Sequence, residues 1–136
     1  MKSELNSAEG HQTVMPYLIV EGAEKFINFM KQVFDAEERF QVLRSESENE
    51  IMHAEVVIGD STIMLADATS EYRPSPTTLY IYDEDTDKRY EQALVAGASS
   101  IYEPHDEEYG VRAAGVKDQF DNRWWLATLI EEHKTT

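Results

Sequence analysis

His53 and Glu55 are the two residues whose types and spacing are best suited to chemistry. They lie two positions apart in Ile51–Ile58, a run that predicts a β-strand, and the alternation of a strand directs both side chains to one face. On that face an imidazole and a carboxylate can act as a base and its orienting group, or bind a cation. The pair can equally form a satisfied polar patch, bonded to each other or to an arginine such as Arg112.

The other groups with catalytic or ligating chemistry are few. A third ligand for a metal at the His53–Glu55 pair would have to come from Tyr17, Glu38 or a loop acid. His105 adjoins the acidic run 106–108, which predicts a solvated loop, and His11 and His133 fall in polar terminal segments. The chain has no cysteine, no G-x-S-x-G motif and no glycine-rich phosphate loop, which excludes a zinc–thiolate site, a cysteine nucleophile and a disulfide framework.

The composition limits the classes of partner. The net charge is −15, from 27 acidic and 12 basic residues. This balance argues against nucleic acid and anionic membranes, which are bound through basic surfaces, and it is compatible with a cationic ligand. No apolar run approaches the ~20 residues that span a bilayer, and residues 1–12 lack the apolar region of a secretory signal. We therefore expect a cytoplasmic protein.

Hydrophobic periodicity predicts eight strands and two helices. The first helix begins at Gly22 and carries one apolar stripe from Ala23 to Phe34. The second spans residues 85–96 and is followed by Gly97, a residue typical of helix C-terminal caps. The strands are predicted at residues 13–20, 38–44, 51–58, 62–66, 77–82, 99–102, 111–117 and 123–130.

The element order βαβββ occurs twice, which predicts an internal repeat. Tyr17–Val20 and Leu79–Tyr82 both precede a helix at an offset of 62 residues, and Ile63–Ala66 and Trp124–Ala127 match at an offset of 61. We therefore predict a single domain at residues 13–130. It comprises module one at 13–66, a linker at 67–76 and module two at 77–130, with tails at 1–12 and 131–136.

Four blocks of sequence carry a family resemblance: MPYLIVEGAEKFINFMKQVFDAEE, MHAEVVIGDSTIMLAD, LYIYDEDTDKRYEQALVAGA and YGVRAAGVKDQFDNRWWLAT. In length and order they resemble the PhnB-like branch of the glyoxalase/bleomycin-resistance/dioxygenase superfamily, the vicinal oxygen chelate fold. The resemblance implies an α+β fold in which two βαβββ modules form a curved, partly closed eight-stranded sheet, with two helices outside, around a cup for ligands. It also implies a homodimer. One departure is Asp118–Asp121, where the family turn usually reads Asp-Pro-Phe-Gly.

The resemblance also implies where a metal would be bound. Metal-dependent members place His or Glu on the first and last strand of each module, facing the cup. The matching positions here are Met15, Met64, Thr77 and Trp125, and none of these is a ligand for a hard divalent ion. We therefore predict no metal and no other cofactor, which makes an enzyme the less favoured interpretation.

The remaining candidate is a pocket for an organic ligand. Trp124 and Trp125 are adjacent on a strand and point to opposite faces, and the resemblance places Trp125 in the cup. The predicted pocket comprises Met15, Tyr17, Met64, Leu79 and Trp125, with Arg112, Arg123, His53 and Glu55 near it; an ordinary filled core is the alternative. The predicted function is to bind or sequester a small cationic or aromatic molecule. The alternative function is a lyase, isomerase or dioxygenase that uses His53 and Glu55, with or without a metal.

Overall fold

The computed structural model describes residues 8–44 and 49–130, which belong to two compact units. The units divide between Ser75 and Pro76, so module one and the predicted linker up to Ser75 fall in the first unit, and Pro76 and module two fall in the second. Residues 1–7 and 131–136 of the predicted tails, and residues 45–48 between the second and third predicted strands, lie outside the described residues.

In module one a helix packs on a four-stranded mixed sheet. The strand order is β1-β4-β3-β2, with β1 parallel to β4 and the other neighbours antiparallel. The elements are β1 (Tyr17–Val20), α1 (Ala23–Phe34), β2 (Glu37–Leu43), β3 (Ile51–Ile58) and β4 (Ser61–Asp67).

The start of α1 is fixed by one glycine and one carboxylate. Gly22 adopts a left-handed conformation, with φ 89°, and the Asp67 carboxylate accepts hydrogen bonds from the N–H groups of Gly22 and Ala23. An anion at a helix N-terminus is favourable because the first N–H groups have no partner within the helix. The second Asp67 oxygen accepts the N–H of Ile51 at 2.7 Å, which ties α1 to β3 and β4. The predicted apolar stripe of α1 is buried: Ala23, Phe26, Ile27, Phe29, Met30, Val33 and Phe34.

Module two repeats this architecture. Its strand order is β5-β8-β7-β6, with β5 parallel to β8. Asp85 caps its helix by accepting the N–H of Lys88, and the Thr86 hydroxyl ties the helix to the sheet through Thr128 and the carbonyl of Arg112. No helix in the part of the chain that the structure describes is long and apolar enough to cross a membrane. The elements are β5 (Thr78–Tyr82), α2 (Thr86–Val95), β6 (Ser99–Asp106), β7 (Val111–Lys117) and β8 (Arg123–Leu129).

The prediction of an α+β fold with two βαβββ modules is confirmed, and the eight strands are arranged as two four-stranded sheets. The correspondence between the modules differs from the predicted one by a single residue. Tyr17 is in register with Met64, and in module two it is Tyr80, not Leu79, that is in register with Trp125. The first strands and helix starts therefore match at an offset of 63 rather than 62. Because successive strand residues point to opposite faces, this one-residue slip exchanges the two faces of β5.

Candidate functional site

His53 and Glu55 lie on the face of the module-one sheet that is opposite α1. The intervening Ala54 is fully buried on the helix side. Glu55 is in register with Met64, and Met64 with Tyr17, so these side chains share the second face of the sheet. His53 and Glu55 therefore share one face of β3, as the alternation of side chains along a strand predicted.

Four side chains form a continuous hydrogen-bonded network on this face, and we call His11, Tyr17, His53 and Glu55 the polar network. The Glu55 oxygens contact two imidazoles, with Oε1 2.8 Å from Nε2 of His11 and Oε2 3.1 Å from Nε2 of His53. The Tyr17 hydroxyl lies 3.1 Å from Nδ1 of His53. A carboxylate only accepts hydrogen bonds, so each Nε2 is assigned the donor role. Nδ1 of neutral His53 is then left to accept the Tyr17 hydroxyl proton.

The environment of Glu55 favours its ionised form. The residue is only 9% exposed, and burial by itself raises the pKa of the carboxyl. The hydrogen bonds from His11 and His53, with their electrostatic attraction, outweigh burial and hold the pKa of Glu55 below its ordinary value. An ionised carboxylate orients the His53 ring and stabilises positive charge on it, while Tyr17, 48% exposed, brings the network to the surface. The arrangement can transfer a proton between an exposed phenol and a half-buried imidazole.

His11 reaches this network because residues 8–12 lie against β3 and β4, an arrangement that the predicted tail did not anticipate. The Gln12 side chain donates to the carbonyl of Thr62 at 2.9 Å and accepts its N–H. The Thr62 hydroxyl donates to the carbonyl of Gly10 at 2.7 Å, and the Arg39 guanidinium lies beside Gly10. The hydrogen bonds of this segment join residues 44 to 52 positions apart without any periodic pattern, so sequence reasoning gave His11 too little weight.

The side chains of these sheets do not fit the metal site that the fold family implies. Met15 and Met64 supply thioethers, and Trp125 supplies an indole, none of which is a ligand for a hard divalent ion. Thr77 precedes β5, and its N–H donates to the Asn122 side chain. Among residues 8–44 and 49–130, no group of three or more His, Asp or Glu side chains could hold a metal ion.

Replacing Glu55 with glutamine is expected to lower the free energy of unfolding by about 1–3 kcal/mol at pH 7, because one amide cannot accept hydrogen bonds from two imidazoles. The folded-state pKa of Glu55 lies below the unfolded value of 4.5. The ionised carboxylate therefore contributes stability that is fully present above pH 4.5 and is lost as the pH falls through the lower pKa of the folded state. Urea denaturation of the wild-type protein and of Glu55→Gln, from pH 7 to pH 3, measures the effect. The difference between their free energies of unfolding should become smaller as the pH falls.

A matched control for this change is Glu50→Gln, in the same module. The Glu50 carboxylate contacts Arg44 at 2.9 Å, but it is 41% exposed, and such surface pairs contribute about 0–1 kcal/mol. We expect this variant to unfold close to wild type at every pH. A Glu55→Gln deficit that stays constant or widens on acidification would contradict the assigned electrostatics.

In module two, one row of residues crosses the sheet on the face opposite α2. The strand registers align Tyr80 on β5, Trp125 on β8, Gly115 on β7 and Tyr102 on β6. Gly115 has no side chain, so the Trp125 indole extends across β7 and stacks on the Tyr102 ring, with centroids 5.5 Å apart and planes inclined by 18°. A Cβ atom at Gly115 would fall 2.6 Å from Cε3 of Trp125 and closer still to Cζ3. The glycine is what permits the stack.

Further tyrosines extend this row, and we call Tyr80, Tyr82, Tyr102, Tyr109 and Trp125 the aromatic face. The rings of Tyr80 and Tyr82 meet edge to face at 5.3 Å. Burial, with the nearby hydroxyls of Tyr109, Tyr82 and Tyr102, raises the pKa of Tyr80 to about 12. Burial, with Glu107 and Tyr109, also raises the pKa of Tyr102. The four phenols therefore lie close together, and these two stay neutral at physiological pH. Each tyrosine still exposes between 36% and 65% of its surface.

Trp124 and Leu79 lie on the opposite side of the sheet, towards α2. Trp124 is 1% exposed and donates its indole N–H to Asp118 at 2.8 Å, which confirms that the two tryptophans face opposite ways. Leu79 is in register with Trp124 and shares its face. The expectation that Leu79 lies beside Trp125 is therefore wrong, because the sequence comparison slipped by one residue, and Tyr80 takes that place.

Arg112 also lies on the α2 side rather than beside Trp125. It is in register with Thr128 and donates to the Asp87 carboxylate of α2 at 2.6 and 3.1 Å and to Asp106 at 3.0 Å. The hydrogen bond from Arg112 lowers the pKa of Asp87. Arg112 thus has its partners within module two. Arg123, by contrast, lies on the Trp125 side at the start of β8, where it is exposed.

His105 lies on β6 rather than in the predicted loop, because β6 continues to Asp106. Its ring packs against Tyr102, with centroids 5.0 Å apart, and it pairs with the Glu107 carboxylate. Hydrogen bonds to the Glu103 carbonyl and to Glu107 raise the pKa of His105. The residue is thus bonded within its own turn at the edge of the aromatic face.

Comparison with known proteins supports the architecture. Residues 10–126 match the model of the Glyoxalase/Bleomycin resistance protein/Dioxygenase superfamily. An uncharacterised protein of Mycobacterium bovis is 28% identical over 128 residues, covering 86% of this chain and 83% of its own length. Two solved structures, the PhnB protein from Bacillus cereus and protein PA1353 from Pseudomonas aeruginosa, are each 19% identical and cover 86% of this chain. They cover 99% and 97% of their own chains, with TM-scores of 0.68 and 0.71.

Proposed function

Because this chain belongs to the Glyoxalase/Bleomycin resistance protein/Dioxygenase superfamily, we propose that it binds or sequesters a small organic molecule, without a catalytic metal. The observation that carries the proposal is the stack of Trp125 on Tyr102 across Gly115, at the centre of the aromatic face. Half-exposed aromatic side chains supply large contact areas for a ligand and lose little conformational freedom when it binds.

The arrangement of the aromatic face supports binding rather than simple packing. A core residue such as Trp124 is buried and has its polar atom bonded to a protein group, whereas Tyr80, Tyr82 and Tyr109 remain about half exposed or more. Contiguous exposed apolar surface is uncommon on a soluble domain and marks a site of interaction. The stack also holds Trp125 in one orientation before any ligand arrives, which lowers the entropic cost of binding.

A panel of planar aromatic compounds, neutral and charged, provides the test, with binding followed by tryptophan fluorescence and thermal shift. We expect at least one compound to bind, and Trp125→Leu to weaken its affinity by about tenfold, because the stacking ring is removed. The control is Trp125→Phe, which retains a ring and should lose less. If no compound binds, or if Trp125→Leu binds each one undiminished, the proposal is wrong. Stoichiometric divalent metal in the purified protein, found by mass spectrometry, would also count against it.

The polar network favours a second candidate, an acid–base enzyme of the same superfamily. The hydrogen bonds run from Tyr17 through His53 to Glu55: an exposed phenol donates to an imidazole, and a buried carboxylate orients that imidazole. This is the relation of nucleophile or acid, base and orienting group that recurs in enzymes. Compounds that bind in the panel would be analysed by NMR for chemical change. Conversion that His53→Gln abolishes supports the enzyme, and bound compounds that all remain unchanged exclude it.

A further inference from the structure

We propose that the aromatic face binds an organic cation, such as a quaternary ammonium group, at the end of the module-two sheet where Tyr82 and Tyr109 lie. The inference rests on the proposed function and adds the charge of the ligand and its position. Four observations support it: the direction of the strands, the acidic loops at one end, the basic residues at the other, and the chemistry of the rings.

The direction of the strands brings two acidic loops to one end of the sheet. Strands β5 and β8 are parallel, and both β8 and β6 are antiparallel to β7, so β5, β6 and β8 all run the same way. β5 ends at Tyr82, and the acidic run 83–85 follows it. β6 ends at Asp106, the first residue of the acidic run 106–108, which leads into the loop before β7. Tyr109 lies in that second loop. Its hydroxyl is near those of Tyr80 and Tyr102, so the loop extends towards the rings.

The charge at this end stays negative after its internal ion pairs are counted. Runs 83–85 and 106–108 contain six acidic residues. Asp83 pairs with Arg89, Asp106 with Arg112, and Glu107 with His105. The basic residues beside these runs are Lys88, Arg89, His105 and Arg112. Asp83 and Asp106 are paired and Asp85 caps α2, so the excess carboxylates next to Tyr82 and Tyr109 are Glu84 and Glu108. The net charge of the whole chain, −15, adds a long-range attraction for cations.

Basic residues lie at the opposite end of the same face. Arg123, at the start of β8, is in register with Thr78 and Lys117, two residues before the Trp125 row. Lys117 is 3.5 Å from the Asp121 carboxylate. An anionic ligand would find its countercharge at this end, whereas the phenol rings gather at the acidic end. The charge on this face therefore changes sign along the strands: the end with Arg123 and Lys117 is basic, and the end with Tyr82 and Tyr109 is acidic.

The rings themselves suit a cation. The face of a neutral tyrosine or tryptophan ring carries negative electrostatic potential, and cations bind over it within about 6 Å of the centroid. Tyr80, with a pKa raised to about 12, and Tyr102, with a raised pKa, keep their phenol protons and make poor partners for a metal. In the row beyond Trp125, Ala127 and Ala113 separate Tyr82 from His105, so the large rings stand on the outer strands. Both alanines are buried, so a compact head group would contact the exposed rings of Tyr82 and Tyr109 and not the sheet between the strands.

The test compares three molecules of nearly the same shape and different charge: choline, its neutral carbon analogue 3,3-dimethylbutan-1-ol, and anionic 3,3-dimethylbutanoate. Binding to the full chain would be measured by NMR titration. We expect choline to bind about tenfold more tightly than the alcohol, as cation–π contacts at a partly desolvated site provide. The anion should bind most weakly of the three, and added salt should weaken choline binding. Equal binding of choline and the alcohol, or tighter binding of the anion, overturns the inference.

Two variants of an exposed ring separate ring chemistry from hydroxyl chemistry. Tyr82 is 65% exposed, so changing it should leave folding intact. Tyr82→Phe keeps the ring and should retain choline affinity within about threefold, whereas Tyr82→Leu should lose about tenfold. A loss in Tyr82→Phe as large as in Tyr82→Leu would show that the hydroxyl, not the ring, makes the contact, and would overturn the inference.

Failure of this inference is distinguishable from failure of the proposed function. If neutral planar compounds of the panel bind through Trp125 while choline does not bind, the cation proposal is wrong and the organic-ligand proposal stands. If neither class binds, both are wrong.

Discussion

Replacing Gly115 with alanine is expected to destabilise the protein by about 1–3 kcal/mol and to disrupt the aromatic face, although alanine is normally the better residue in a strand. The added methyl would lie 2.6 Å from Cε3 of Trp125 and 3.3 Å from Cε1 of Tyr102. Gly115 is buried within the sheet, so the strand cannot move aside without disturbing β6 and β8. The indole must leave its stacked position. Chemical denaturation gives the stability change, and near-UV circular dichroism reports the loss of the stack.

A double-mutant cycle identifies the cause of that loss. In a Trp125→Leu background the bulky ring is gone, and Gly115→Ala should be nearly neutral or slightly stabilising. The coupling energy between the two positions is expected to be about 1 kcal/mol or more. A Gly115→Ala cost that is the same in both backgrounds would mean that the clash with Trp125 is not its source.

Replacing Asp118 with alanine is expected to lower the free energy of unfolding by about 3 kcal/mol or more. The carboxylate is 3% exposed and accepts three hydrogen bonds, from the N–H groups of Phe120 and Asn122 and from the Trp124 indole, at 2.8 to 2.9 Å. Each buried donor left without an acceptor costs about 1–3 kcal/mol. Burial raises the pKa of Asp118, and these donors partly offset that rise. Urea denaturation at pH 7 measures the effect.

The control for this change is an acidic residue of the same turn, Asp121. It has a left-handed backbone with φ 66°, and its side chain is 68% exposed. Asparagine tolerates that conformation, and an exposed ion pair contributes little, so Asp121→Asn should change stability by less than about 0.5 kcal/mol. If Asp118→Ala costs no more than Asp121→Asn, the bonds to Asp118 do not organise the turn as described.

The two modules show how one row of a repeated fold acquires different chemistry. In module one the row across the sheet is Tyr17, Met64, Glu55 and Phe40; in module two the equivalent row is Tyr80, Trp125, Gly115 and Tyr102. The first and last positions are aromatic in both. The rows differ at the second position, Met64 or Trp125, and at the third, where Glu55 contacts two imidazoles and Gly115 leaves space for the Trp125 indole. These two positions distinguish the row of the polar network from the row of the aromatic face.

Much of the fold followed from local pattern, because periodicity is a property of consecutive residues. The bounds of β3 and β7, the buried stripe of α1, and the opposite directions of Trp124 and Trp125 were all predictable. Register was not. The sequences of Tyr17–Val20 and Leu79–Tyr82 are similar, but the strand pairing of the two modules matches only when Tyr17 corresponds to Tyr80. Sequence similarity over four residues cannot detect this shift of one residue.

The candidate sites were predictable only where their residues lie on one strand. His53 and Glu55 share β3, so their common face followed from alternation. His11 reaches Glu55 across 44 positions through an irregular segment, and Tyr102 reaches Trp125 across a strand through a glycine. The alternation of Tyr80 and Tyr82 on β5 was the available signal for the aromatic face, and it would have placed both rings on one face of the sheet.

The central claim, that an organic ligand binds at Trp125, is tested most directly by NMR of the two indole N–H groups. Trp125→Phe would assign the two resonances, and N-methylquinolinium, a planar cation, would be titrated into the wild-type protein. We predict that the Trp125 resonance shifts saturably, while that of Trp124, bonded to Asp118, does not move. Binding that leaves the Trp125 resonance unchanged, or no binding by this cation and by every neutral compound of the panel, would contradict the claim.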